Sequence, residues 1–278
     1  MKQNQKIAQR TDNFNGLALF SSPKSQLLKI LSSHLYQKKG LILLFTPNAE
    51  QMVVSLENTN FRRYLSQADL LIPDGFSLVL ASRCRFAKRW LSRVFNRRAS
   101  PQIPPPIQER IAGTDLVEDL LPLCQEHQLP ILILGGQNYH QVVSEAKIVN
   151  FPSGKYYQLR PGLFWTAGFA KKEFPTNLEK RQLLAILTSL RPSVVLVALG
   201  APFQERWLIE NRQELTQAGV KLGVAVGGAM DMILGKLRRA PKWMRSIGLE
   251  WLYRLYQEPW RWRRQLRLIR FWRVMMSS

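Results

Sequence analysis

The sequence predicts an α/β protein: a Rossmann-like, largely parallel sheet with helices on both faces, followed by a basic helical appendage. Two observations carry that expectation. Short runs that are apolar on both faces alternate with helical patterns along most of the 278 residues, as strands of a parallel sheet covered on both sides must. The excess positive charge is also confined to two stretches, so the rest of the chain is close to neutral.

The elements follow in order. Leu41 to Phe45 is the first buried strand, followed by Thr46-Pro47-Asn48 and a helix-like stretch. Asp69 to Ile72 is a short strand ending at Pro73-Asp74-Gly75. Leu129 to Leu134 is closed by Gly135-Gly136 before a helix. Val194 to Leu199, the clearest strand, is closed by Gly200, and Lys221 to Val226 by Gly227-Gly228. In open α/β sheets ligands bind outside the C-terminal strand ends. Thr46, Asp74, Gly135, Gly200 and Gly227 therefore form one candidate site, although each glycine could also be a plain turn.

Two segments break this pattern. Ala99 to Gln108 is proline-rich and is expected to be a stiff extended linker. From Trp243 onward five tryptophans interleave with arginines, and Pro259 should divide the segment into two short amphipathic helices.

Forty Lys and Arg against nineteen Asp and Glu leave a net charge of +21. Arg83 to Arg98 holds seven basic residues and no acid; Lys236 to Ser278 holds twelve against Glu250 and Glu258. Such a chain should seek polyanions: nucleic acid, an anionic membrane or a phosphorylated substrate. For the tail, tryptophans and arginines suit a membrane interface, but the same composition suits nucleic acid or a solvated helix packed on the body.

Several classes are disfavoured. Cys84 and Cys124 lie far apart in no metal or disulfide motif. Met1 to Asn13 is polar and lacks the apolar core of a signal peptide, and no run is apolar enough to span a bilayer. A cytoplasmic location is expected. The three histidines stand in no catalytic context.

The motifs carry more specific chemistry. Gly200 to Trp207 starts a helix with Pro202 in its first turn, so free amides should face the crevice. Gln204 could bond a sugar or base, and Glu205 and Arg206 could pair within the fold; a well-started surface helix explains the same residues. Val226 to Ala240 is neither a Walker A loop nor a dinucleotide fingerprint. Its paired glycines allow close approach to a diphosphate or a tight turn. Asp74 could act as a general base or cap a helix. No Asp-x-Asp pair is present to hold a divalent metal on a nucleotide-sugar, so neither a metal nor a cofactor is expected.

These residues together resemble the bacterial WecG/TagA/CpsF glycosyltransferases. The resemblance rests on Thr46-Pro47-Asn48-Ala49, Ala68-Asp69-Leu70 with Pro73-Asp74-Gly75, Arg110 with Gly113-Thr114-Asp115-Leu116, and Leu134-Gly135-Gly136. It continues through Gly200-Ala201-Pro202-Phe203-Gln204-Glu205-Arg206-Trp207, Gly227-Gly228 with Asp231, Gly235-Lys236 and Arg239-Ala240-Pro241-Lys242-Trp243. It ends with Leu249-Glu250-Trp251-Leu252-Tyr253-Arg254-Leu255 and Glu258-Pro259.

The resemblance implies an inverting transfer of an N-acetylmannosamine-type sugar from UDP onto a polyprenyl-diphosphate-linked sugar. Asp74 would be the base. Thr46, Asn48, Arg110, Gly200, Gln204, Gly227 and Gly228 would line the substrate pocket, and Arg254, Arg261 and Arg264 would reach the diphosphate. Residues 1–235 would form the catalytic domain, with a basic, proline-rich insert at about 84–108, and residues 236–278 a membrane-docking appendage on the cytoplasmic face. Two departures from the family, at Arg160-Pro161-Gly162-Leu163-Phe164 and in the length from Asp74 to Arg110, bear on the sugar rather than on the reaction class. The rival readings are a nucleic-acid-binding protein, favoured only by charge, and a non-catalytic membrane scaffold. The sequence is compatible with a homo-oligomer.

Overall fold

The computed structural model describes residues 11–37, 40–95, 106–136, 147–151, 154–171, 173, 175–233 and 237–277; the side chains of 92–95, 149–151, 154–155, 264–265 and 275–277 lie outside the description. The chain divides into two compact units. One comprises residues 1–27, 46–112 and 239–278, and the other residues 28–45 and 113–238.

In chain order the elements are β1 (Thr11–Phe14), β2 (Leu17–Phe20), α1 (Lys24–Tyr36), β3 (Ile42–Phe45), α2 (Ala49–Glu57), α3 (Thr59–Ser66), β4 (Leu70–Leu71) and α4 (Phe76–Phe95). Then come α5 (Gly113–Glu126), β5 (Ile131–Gly135), β6 (Lys147–Phe151), β7 (Gly154–Arg160), β8 (Leu163–Thr166), α6 (Asn177–Leu190) and β9 (Val194–Ala198). Last are α7 (Phe203–Glu210), α8 (Arg212–Gln217), β10 (Leu222–Ala225), α9 (Ala229–Ile233), α10 (Lys242–Ser246), α11 (Glu250–Gln257) and α12 (Trp262–Ser277). The α/β class and the largely parallel sheet are as expected.

The unit holding residues 113–238 contains the parallel core, in the order β3-β10-β9-β5-β8. Val194, Val195, Leu196 and Val197 of β9 and Leu132, Ile133 and Leu134 of β5 have no exposed surface. That accounts for runs without polar alternation. β7 and β6 extend this sheet antiparallel beyond β8. Pro161-Gly162 makes the β7–β8 turn, with Gly162 at φ +76°, and the Gly162 carbonyl accepts from Ile131 N at 2.8 Å. This turn therefore sits at the N-terminal end of β5. The departure at Arg160 to Phe164 lies at the end of the sheet opposite Gly135, and does not alter the loops at the C-terminal strand ends.

The other unit is built on three short strands. β1 and β2 form an antiparallel hairpin, and β2 pairs parallel with β4. Asn15-Gly16, both at positive φ, make the two-residue hairpin turn this dipeptide favours. Asp12 is buried beneath α4: it accepts from Ser82 Oγ and, at 2.9 Å, from Arg85 Nη2. Arg85 also lies 3.6 Å over the Phe14 ring, and burial pushes its pKa down.

The first basic stretch is not a separate attachment along its length, because Arg83 to Phe95 continues α4. Of the expected linker, residues 99–105 lie outside the described set. Its end is docked, with Ile107 fully buried and its N–H bonded to Ser82 Oγ at 2.9 Å. The tail divides at Pro259 as expected, in a short 3-10 turn, but it carries three helices rather than two. α12 packs on α2 through buried Phe271 and the Arg267–Glu50 ion pair at 2.8 Å.

Candidate active site

In the first unit, backbone hydrogen bonds join three loops around Asp74. Asp74 N donates to the Pro47 carbonyl at 3.0 Å, and Ile111 N to the Pro73 carbonyl at 3.2 Å. Gly75, at φ +152°, faces Asn48, and a Cβ there would lie 3.7 Å from the Asn48 Cβ. Thr46-Pro47-Asn48, Pro73-Asp74-Gly75 and Arg110-Ile111 are thus held side by side without reliance on flexible side chains. The Asp74 carboxylate is about one-third exposed, and Arg110 Nε lies 3.7 Å from it. A carboxylate in that setting can accept a proton from a hydroxyl.

Thr46 is buried. Asn48 caps α2: its Oδ1 accepts from Gln51 N at 3.0 Å while Gln51 Oε1 accepts from Asn48 N at 3.0 Å. That reciprocal capping box anchors the start of the helix. The Asn48 side chain leaves its NH2 group for other partners.

The tail's two acids were absent from the expected site. Glu250 Oε2 accepts from Arg110 Nη2 at 2.5 Å. Glu258 Oε2 lies 3.0 Å from Arg254 Nε and 2.7 Å from Arg261 Nε. Both carboxylates are mostly buried, at 12% and 14% side-chain exposure, so they hold these arginines more firmly than surface pairs would. The signal was present: two acids among twelve bases are the residues that can orient them. The side chain of Arg264 lies outside the described residues.

In the second unit the loops at the C-terminal strand ends are tied to one another. Gln204 is 3% exposed, and its Oε1 accepts from Gly200 N at 3.2 Å and Gly227 N at 3.0 Å. It thereby ties the loop after β9 to the loop after β10, with Gly228 next to it in the chain. Its Nε2 donates to Glu205 Oε1 at 2.9 Å. Arg206 pairs with Glu210 at 3.0 Å. Gly135 could not be replaced, since a Cβ would meet the Ala198 carbonyl at 2.8 Å. Among the described residues no group of three His, Cys, Asp or Glu is placed to hold a metal ion, and no helix is long and apolar enough to cross a membrane.

The glycosyl transferase WecG/TagA/CpsF family matches residues 13–278. The chain belongs to this family. It is also similar to the N-acetylglucosaminyldiphosphoundecaprenol N-acetyl-beta-D-mannosaminyltransferase of Bacillus subtilis (strain 168), with 27% identity over 263 residues covering 94% of this chain and 90% of that protein. A member of this family is a glycosyltransferase, and the loops and tail residues of the candidate site all fall inside the matched span.

Proposed function

We propose that this chain transfers an N-acetylmannosamine-type sugar from a UDP donor to N-acetylglucosamine carried on a polyprenyl diphosphate, with inversion and without a bound metal. Asp74 takes the proton of the acceptor hydroxyl as that oxygen forms its bond to the donor's anomeric carbon. The bond from that carbon to the UDP oxygen breaks in the same displacement, and UDP leaves with the electron pair. A single displacement inverts the anomeric centre. Arg254, Arg261 and Arg264 offer charge-assisted bonds to the acceptor's diphosphate, and Thr46, Asn48 and Arg110 contact the sugars. Gly200, Gln204, Gly227 and Gly228 serve the nucleotide, with Gln204 holding the glycine amides in register.

The observation that carries this reading is the Asp74 loop, stitched to Pro47 and to Ile111 beside Arg110. The name of the Bacillus relative supports the choice of donor sugar and acceptor. Residues 236–278 act as the docking appendage on the cytoplasmic face, and 1–235 as the catalytic body. The test is a panel of radiolabelled UDP-sugars with a short-chain lipid-diphosphate N-acetylglucosamine acceptor, with and without EDTA. Transfer from UDP-N-acetylmannosamine that is insensitive to EDTA is expected. Transfer from no UDP-sugar would overturn the reading, and rescue only by Mg²⁺ or Mn²⁺ would overturn its metal-free form.

A further inference from the structure

Among the described residues the outward face of α4 is largely exposed and carries a pattern of its own. At about 100° per residue, Phe76, Leu80, Cys84, Ala87, Trp90 and Leu91 fall within an arc of about 120°, and all six are exposed. The opposite arc, with Leu78, Val79, Ala81 and Ser82, is buried. Residues 76–91 of this 20-residue helix therefore present an apolar stripe to water, interrupted within the arc by Arg83. Exposed patches of this kind mark interaction surfaces.

Charge decides between occupants. From Gly75 to Gln108 the sequence contains no acid, and Arg83 within the arc and Lys88 at its edge are exposed. A second copy of the chain would set like charges against each other across a two-fold contact. An anionic lipid surface accepts both features, the rings and aliphatic groups at headgroup depth and the cations on phosphates. The stripe also starts at the tail. Phe76 lies against Gly248, where a Cβ would come within 2.7 Å of its ring carbon, and the flanking Ile247 and Trp251 are exposed.

We propose that the outward face of α4 is a second membrane-docking surface, which lies on anionic lipid together with the tail. The inference rests on the reading that the enzyme works at a membrane, and it assigns α4 a role separate from the tail's.

The two cysteines supply a selective probe. Cys84 is exposed on the stripe, whereas Cys124 is buried and its thiol is pushed up to about 11 by that burial. The full chain is labelled at Cys84 with an environment-sensitive fluorophore. It is then mixed with vesicles of phosphatidylglycerol and phosphatidylcholine, or of phosphatidylcholine alone. The expected result is a blue shift and increased emission on the anionic vesicles only. The double variant Trp90→Ser/Leu91→Ser should partition at least roughly tenfold more weakly, with an unchanged circular dichroism spectrum.

A Cys84 label that stays in water while the protein sediments with vesicles would overturn the proposal and leave docking by the tail standing. No sedimentation at all would remove both. A label shielded without lipid, in a dimer seen by analytical ultracentrifugation, would make a second copy the occupant. A label that responds to duplex DNA and not to vesicles would assign the face to nucleic acid. The label measurement does not depend on whether the double variant folds.

Discussion

The strand-end loop that follows β9 and the C-terminal tail break the usual sorting of residues in opposite senses. Where that loop enters α7, polar groups are inside: Gln204 and Glu205 of the first turn are 3% and 1% exposed, and Gln204 makes three hydrogen bonds there. In the tail, large apolar groups are outside: Tyr256 is 83% and Trp260 is 70% exposed. Buried polar groups are tolerated only when hydrogen-bonded, and exposed apolar surface persists where something else covers it. The polar groups of the loop have their partners in place within the fold. The large apolar groups of the tail are left facing solvent among the described residues.

The comparison breaks most severely if the polar side of it is inert. Asp74→Asn should lower transfer by about 10²–10⁴-fold, with UDP affinity largely kept when measured by calorimetry. Unchanged turnover would remove Asp74 from the mechanism. The tail itself contains the next test, in a large apolar residue that faces inward. Phe271 is fully buried beside Met52 and Val53 of α2, so Phe271→Ala should cost about 3–5 kcal/mol in denaturant unfolding. Truncating the tail would incur the same loss, which makes truncation a poor probe of docking.

Gln204→Ala strands the Gly200 and Gly227 amides and should cost about 1–3 kcal/mol, with a parallel loss of UDP affinity. A variant that is destabilised yet binds UDP normally would make Gln204 a brace alone. The smallest effect is expected at the start of α6, where Glu179 accepts from Ala170 N and from Thr176 N and Oγ. Those bonds hold its pKa below the ordinary 4.5. Glu179→Ala should cost about 1 kcal/mol at neutral pH. A lowered carboxylate stabilises the fold fully above its unfolded value, so the difference from the parent should begin to shrink below pH 4.5 and vanish once the pH has fallen through the lowered folded value.

The buried parallel strands were legible because burial on both faces writes a continuous apolar run. β3, β5, β9 and β10 each fall within about two residues of their expected bounds. The strands at the outer end of this sheet, β8 and the antiparallel β7 and β6, were not recognised. β6, β7 and β8 are polar and aromatic, without such a run, although Pro161-Gly162 marks their turn. The β1–β2 hairpin also had a local signal in Asn15-Gly16, hidden by a segment read only for its polarity. In the site, the identity of Asp74 and the glycines followed from strand ends. The partner of Arg110 did not, because Glu250 lies 140 positions away in the chain and only the fold brings them together; Glu258, four residues after Arg254 and three before Arg261, was within helical reach of both and was passed over. The Arg83 to Phe95 stretch was read by its charge, which concealed a helix whose apolar stripe has the period of 3.6 residues.

The central claim is that the inward polar groups perform transfer and the outward apolar groups reach the membrane. Initial rates for Trp260→Ser/Trp262→Ser on a soluble short-chain acceptor and on a vesicle-embedded long-chain acceptor test it most directly. Both tryptophans are exposed, so stability should stay within about 0.5 kcal/mol. The rate on the soluble acceptor should be unchanged, while the rate on vesicles should fall by roughly tenfold or more; the Asp74→Asn variant should lose both. Equal losses on the two acceptors for the tryptophan variant, or none on vesicles, would contradict the account.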